Sequence, residues 1–197
     1  HWSIPDNSIL MDMFRHTQMG TNGSIHPRSD TPPLSYFNQV PCFDQDTLIL
    51  SPTGNVYIKD LNKGDNIVTS NGVKRILRIG KKTRLFNNTD NISTTMFKMK
   101  KTKDMTSDLL VTGLHAILLD DLKSYKYYDT MEDSPDENKM IDGKHTLIAA
   151  LCNKFEKETE PTEHTIYHIA LEGEKRRYGI YTNGVLMESW DNKQTSM

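Results

Sequence analysis

The chain has 197 residues, 24 Lys and Arg against 26 Asp and Glu, and two cysteines. That length suits one domain with a real core plus a tail, and near-balanced charge argues against nucleic acid as a partner, because phosphate binding needs a concentrated basic surface. No apolar run is long enough to span a bilayer, so no membrane partner is expected. Cys42 and Cys152 are too few for a disulfide framework and lack zinc-site spacing, which points to a reducing compartment; whether they pair is open at this stage. The chain starts at His1 without the basic, apolar and small-residue zones of a signal peptide, and is expected to be a piece of something longer.

Residues 1–41 mix Pro, Gly, Asn and Ser with isolated apolar residues and hold no sustained period, which predicts an extended N-terminal arm. SILMDMFRH could form a short helix that TNGSIHPRSDTPP would end. Such an arm needs a protein neighbour to order it. From Cys42 the texture changes to short β-branched and aromatic runs, TLIL, NVYI, NIVT and KRILRI, bounded by turn signals. LILSPTGNVYI and NIVTSNGVKRI read as hairpins, the second turning at Asn71-Gly72. TRLFNNTDNISTT reads as less ordered, TMFKMKK as a strand, and DLLVTGLHAILL as an apolar run interrupted by a turn at Thr112-Gly113-Leu114-His115. The basic clusters KKTK and EKRR read as solvated loops or strand ends.

Residues 120–145 are polar and charged, the composition of a surface insertion. HTLIAALCNKF fits a strand or a short helix, and EKETEPTE fits a solvent-facing loop. TIYHIALE, the turn at EGEKRR and YGIYTNGVLMES close the domain, with a tight turn at Asn183-Gly184, and 191–197 form a tail.

Four features in this order resemble the Hint domains of hedgehog proteins and inteins: the cysteine opening CFDQDTLI; Leu61, Gly64 and Asp65 in DLNKGDNIV; Thr112 and His115 in T-x-x-H; and IYHIALE before YGIYTNGVLMES. PCFDQDT, DLLVTGLHAILL and YGIYTNGVLMES look most like Hint domains at the ends of large-DNA-virus proteins, which implies a cytoplasmic or virion setting within a larger viral assembly. The resemblance covers about residues 42–190 and implies a mainly β fold, a flattened horseshoe of curved antiparallel hairpins, with its two ends close together. It also implies the chemistry. In that family the cysteine thiolate attacks the carbonyl before it, here at the Pro41-Cys42 bond, in an N-to-S acyl shift that gains from tethered proximity. His115 matches the histidine that protonates the leaving amide nitrogen, and Thr112 the partner that orients the scissile amide. Thiol activation needs a base or a positive field, and His168 stands where splicing relatives carry aspartate or another polar residue. No cofactor and no metal is implied.

Two departures argue for self-cleavage at most once per chain, without splicing. Met187, Glu188 and Ser189 stand where splicing inteins carry a His-Asn pair, and Asn183 has an ordinary turn explanation. Pro41 crowds the carbonyl under attack and slows the shift. A catalytically silent Hint-fold module, a minor capsid component for example, is the alternative. A papain-like protease ranks below both, since its nucleophile sits at a helix start and β signals surround Cys42. Bland readings compete at each residue: Cys42 as a buried small apolar side chain, His115 as a histidine bonded to backbone, and His168 on a polar strand face. Asp44 and Asp46 brace the opening turn, while Leu61, Gly64 and Asp65 set the fold. The expected geometry places the Asn183 strand near Cys42 and His115 within reach of the Pro41-Cys42 amide.

Overall fold

The computed structural model describes residues 41–87, 92–122 and 140–193, all within a compact unit spanning Phe37–Met197. The candidate helix and the rest of the arm lie outside the described residues, as do 123–139 of the expected insertion.

Among the described residues, fourteen strands form one curled antiparallel sheet, and only short 3-10 turns supply helix. They are β1 (Phe43–Asp44), β2 (Leu48–Ser51), β3 (Gly54–Tyr57), β4 (Asn66–Thr69), β5 (Gly72–Phe86), β6 (Met96–Met99), β7 (Leu109–Thr112), β8 (Ala116–Leu119), β9 (Met140–Ile141), β10 (Lys144–Ile148), β11 (Glu156–Lys157), β12 (Thr162–Leu171), β13 (Gly179–Thr182) and β14 (Val185–Glu188). The strand order is β11-β6-β7-β1-β12-β5-β4-β13-β14-β8-β10-β9, with β2 joining β13 and β3 lying outside β2. The mainly β architecture expected of the sequence is the one observed.

Strand β5 joins the two halves of this sheet. Gly72–Arg75 pair with β4, while Ile76–Phe86 pair with β12. A bulge at Ala170/Leu171 bends the ladder between these stretches, as an extra residue on one strand does. Thr83–Phe86 of the stretch expected to be less ordered therefore belong to a strand, because β12 supplies partners for every residue of it. EKETEPTE gives its first two residues to β11 and its last two to β12. HTLIAALCNKF is both a strand and a turn, β10 running into a 3-10 turn at Ala149–Leu151. Of segment 120–145, residues 140–145 form β9 and the start of β10.

The main core gathers Phe43, Ile49, Ile67, Ile76, Val111, Ile169, Leu171, Ile180 and Met187 from strands of both halves. Leu61 joins it, and Asp65 accepts the Asn62 backbone N–H at 2.8 Å, so the L-x-x-G-D pattern caps a turn beneath β5. A separate small cluster holds Cys42, Phe86, Met96 and Ile166. The thiol thus sits at the margin of the core, where β1, β5, β6 and β12 converge.

Candidate active site

Cys42 immediately precedes β1, which is slotted between β7 and β12: Phe43 stands opposite Val111 on one side and Tyr167 on the other. Fully buried Phe43 anchors that slot. The Cys42 backbone N–H donates to Thr112 Oγ1 at 2.9 Å, and Thr112 N–H donates back to the Cys42 carbonyl at 3.0 Å. The nitrogen of the Pro41-Cys42 peptide bond is therefore held directly by the threonine that the sequence singled out.

Three residues later the chain turns. His115 N–H donates to the Thr112 carbonyl, and the turn is tied down by Gly113 N–H to Thr95 O and by Ala150 N–H to Gly113 O. Only glycine fits at 113, because a Cβ there would meet the Ile92 carbonyl oxygen at 2.5 Å and the Phe97 ring at 2.7 Å. The turn delivers His115 into the interior, 1% exposed, with its ring 4.0 Å from that of Phe43. His115 Nε2 lies 3.1 Å from the Glu188 carbonyl oxygen. A carbonyl can only accept, so Nε2 carries the proton and Nδ1 the lone pair. Nδ1 has no hydrogen-bond partner among the described residues. The expected reach from His115 to the scissile amide is thus not a bond in this state; Thr112 occupies the amide N–H. Burial pushes the His115 pKa down, against the opposing pull of Glu188 and the Cys42 carbonyl.

His168, on β12, brings its Nδ1 within 3.7 Å of Cys42 Sγ. It is only 4% exposed, which corrects the polar-face reading: the second half of β12 is buried on both faces, so alternation there does not separate core from solvent. Its ring packs on Trp190 at 4.0 Å, and Arg78 lies over the same indole at 5.4 Å. Burial first, then the positive fields of His115 and Arg78, lower the His168 pKa to about 4. Burial raises the Cys42 thiol to about 12, opposed by the charges of Arg84 and Lys82. Thiol and imidazole are both neutral at neutral pH, and no disulfide joins Cys42 to Cys152.

Of the residues chosen from sequence, Thr112 holds the Cys42 amide and His168 faces the Cys42 thiol, while His115 packs on the neighbouring Phe43 and bonds to Glu188. Asn183 does not join them. It sits in a two-residue turn at φ 49°, yet its side chain crosslinks the fold, accepting from Leu48 N–H at 2.6 Å and donating to the Asp108 carbonyl at 2.5 Å. Where its strand was expected near the cysteine, Trp190 provides the link through its bridge to Ala170 on β12. Sequence reasoning missed three participants, Glu188, Trp190 and His164. Glu188 supplies the carbonyl for His115, accepts Ala116 N–H with Oε1 at 3.0 Å, and pairs through Oε2 with Arg177 at 2.9 Å. Trp190 covers His168. Asp44 Oδ1 braces the turn as expected by accepting Asp46 N–H at 3.0 Å, but its Oδ2 also meets His164 Nδ1 at 2.9 Å. None of these roles has a local signal, since each depends on strand register.

The family model of the Hint domain matches residues 41–194. Among curated proteins none matches. Solved structures similar to this chain include the bacterial intein-like domain from Clostridium thermocellum, at 13% identity and a TM-score of 0.47, covering 77% of this chain and 99% of that one. A DnaB intein from Synechocystis sp. PCC 6803 is also similar, at 13% identity and a TM-score of 0.42, covering 76% and 99%.

Proposed function

The chain belongs to the Hint domain family, and we propose that it cleaves itself once at the Pro41-Cys42 bond by an N-to-S acyl shift. The observation that carries this reading is the bond from the Cys42 amide N–H to Thr112 Oγ1 at 2.9 Å. Cys42 Sγ gives its proton to His168 Nδ1 and adds to the Pro41 carbonyl carbon. As the amide nitrogen pyramidalises it gains a lone pair, and the Thr112 hydroxyl, already in contact, turns from acceptor to donor toward it. His115 takes up at its Nδ1 lone pair the proton that Sγ gave to His168 and passes it to the Thr112 hydroxyl, so the thiol proton ends on the nitrogen and the count closes. The C–N bond then breaks, leaving a Pro41 thioester on Sγ and a free amine on Cys42. Splicing does not follow, because Glu188 is locked in three interactions and neither neighbour, Met187 or Ser189, carries a cyclisable amide.

The raised thiol and lowered imidazole favour a second reading, a silent Hint-fold module whose residues 1–41 pack along a protein neighbour. The likeness to domains of large-DNA-virus proteins would set such a module in a virion. One experiment separates the two. Residues 1–197, with and without Cys42→Ala, are incubated with thiol or hydroxylamine and followed by intact mass. Self-cleavage predicts scission after Pro41 in the unmutated chain alone; an intact chain after days in thiol establishes the silent module.

A further inference from the structure

Glu188 ends β14 and makes contact with two consecutive residues, His115 and Ala116. Its carbonyl accepts from His115 Nε2 at 3.1 Å, and its Oε1 accepts Ala116 N–H at 3.0 Å. We infer that Glu188 is the positioning residue of His115: its carbonyl fixes the ring with Nδ1 as the lone pair, and its carboxylate offsets the positive charge the ring takes on while it holds a second proton. This inference rests on the acyl shift proposed above, in which that lone pair takes up a proton and passes it to Thr112.

The Glu188 carbonyl is held from both sides. Met187 is fully buried and stands opposite Ile117 on β8, and Ser189 N–H donates to the Tyr178 carbonyl at 2.8 Å. A histidine bonded to so fixed an acceptor keeps both its tautomer and its ring orientation. The other nitrogen is left open. His115 Nδ1 is buried and has no hydrogen-bond partner among the described residues, a costly state that a proton delivered to it relieves.

Charge works in the same direction as geometry. Burial opposes a proton on the His115 ring, and Glu188 supplies two of the three influences that counter burial, its charge and its carbonyl; the third is the Cys42 carbonyl. That Cys42 carbonyl accepts Thr112 N–H at 3.0 Å, while Thr112 Oγ1 accepts the Cys42 N–H at 2.9 Å. The protonated ring is therefore favoured by Glu188 on one side and, on the other, by the residue whose amide is cleaved. The Glu188 side chain keeps only 6% of its surface, so little water screens its charge. Arg177, from the loop between β12 and β13, pairs with Oε2 at 2.9 Å and competes with the imidazolium for the same carboxylate. The charged and titratable groups facing His115 are Glu188 from β14, backed by Arg177, and His168 from β12, which a charge on His115 disfavours as a proton carrier. The two imidazoles thus hold the travelling proton in turn and not together.

The test follows the 197-residue chain, Glu188→Gln and Arg177→Met in saturating hydroxylamine by intact mass, with urea midpoints and nitrogen NMR spectra of the histidine rings. Glu188→Gln keeps the backbone carbonyl and an acceptor for Ala116 N–H but removes the charge. Arg177→Met breaks the same ion pair and leaves the carboxylate to His115 alone. The expected result is cleavage about 10-fold slower in Glu188→Gln, the effect of one pKa unit on a proton carrier, and no slower in Arg177→Met, although both lower the urea midpoint. The His115 ring keeps its Nε2 proton in both variants and takes up the second at lower pH in Glu188→Gln. An equal change in the two variants, or none in either, makes Glu188 a structural ion-pair partner and overturns the inference. So does a spectrum of the unmutated chain with the neutral His115 ring protonated on Nδ1, a result that requires no variant to fold. An unmutated chain that hydroxylamine does not cleave instead removes the acyl shift, and this inference with it.

Discussion

Burial pushes the Cys42 thiol up to about 12 and the His168 imidazole down to about 4, so proton transfer between these neighbours runs strongly uphill. The pair is close in space and poised against proton transfer, so the cleavage proposed above would be a slow single turnover. The same depression makes stability depend on pH. A histidine at about 4 when folded and near 6.5 when unfolded lets the unfolded state bind the proton first. Its contribution is full above pH ~6.5 and is lost as pH falls through about 4, by roughly 3 kcal/mol in all; His115 adds in the same direction. Replacing His168 by Phe keeps an aromatic ring against Trp190 and removes the titration. Urea midpoints taken across that range should show a flatter acid limb in His168→Phe, and an unaltered slope would place the acid sensitivity elsewhere. Cys42, Thr112, His115 and His168 were legible because each stands in a motif with its own local context. His164 and Glu188 were not, because strand register makes their partners, 120 and 73 residues away in sequence.

Among the elements, the hairpins were legible and the length of β5 was not. Asn-Gly at 71–72 and 183–184 announces a reversal through backbone geometry alone. The Lys81-Lys82-Thr83-Arg84 stretch announces nothing, since its strand character comes from β12, which pairs with it residue by residue. The turn between β7 and β8 is the element on which the site depends most. It sets Thr112 against the scissile amide and His115 against Glu188, and it closes only over a residue without a side chain. Backbone oxygen on one side and a packed ring on the other leave no easy relaxation. Gly113→Ala is therefore expected to cost about 1–3 kcal/mol, the range for overpacked interior sites, read as a lower denaturant midpoint. It should also slow cleavage in hydroxylamine, because it displaces Thr112 from the Cys42 amide. Wild-type stability in Gly113→Ala would mean that the turn yields where the packing says it cannot.

At the scale of the whole molecule, the first and last described segments of the chain meet at the site. β1 carries Cys42 in, and the segment after β14 brings Trp190 back beside Ala170, over the histidine that faces the thiol. Trp190 is therefore a seal as well as core. Trp190→Ala should open the thiol, raising alkylation of Cys42 by about 10-fold or more as accessibility and solvation of the thiolate return, with buried Cys152 as the internal standard. Equal alkylation with and without the indole would show that other side chains keep solvent out. That meeting of Cys42 and Trp190 around one imidazole closes the path of residues 42–190 on itself. A domain cut to those residues could be threaded from the Pro52–Gly54 bend onward, with Cys42 and Trp190 joined by a few added residues across His168.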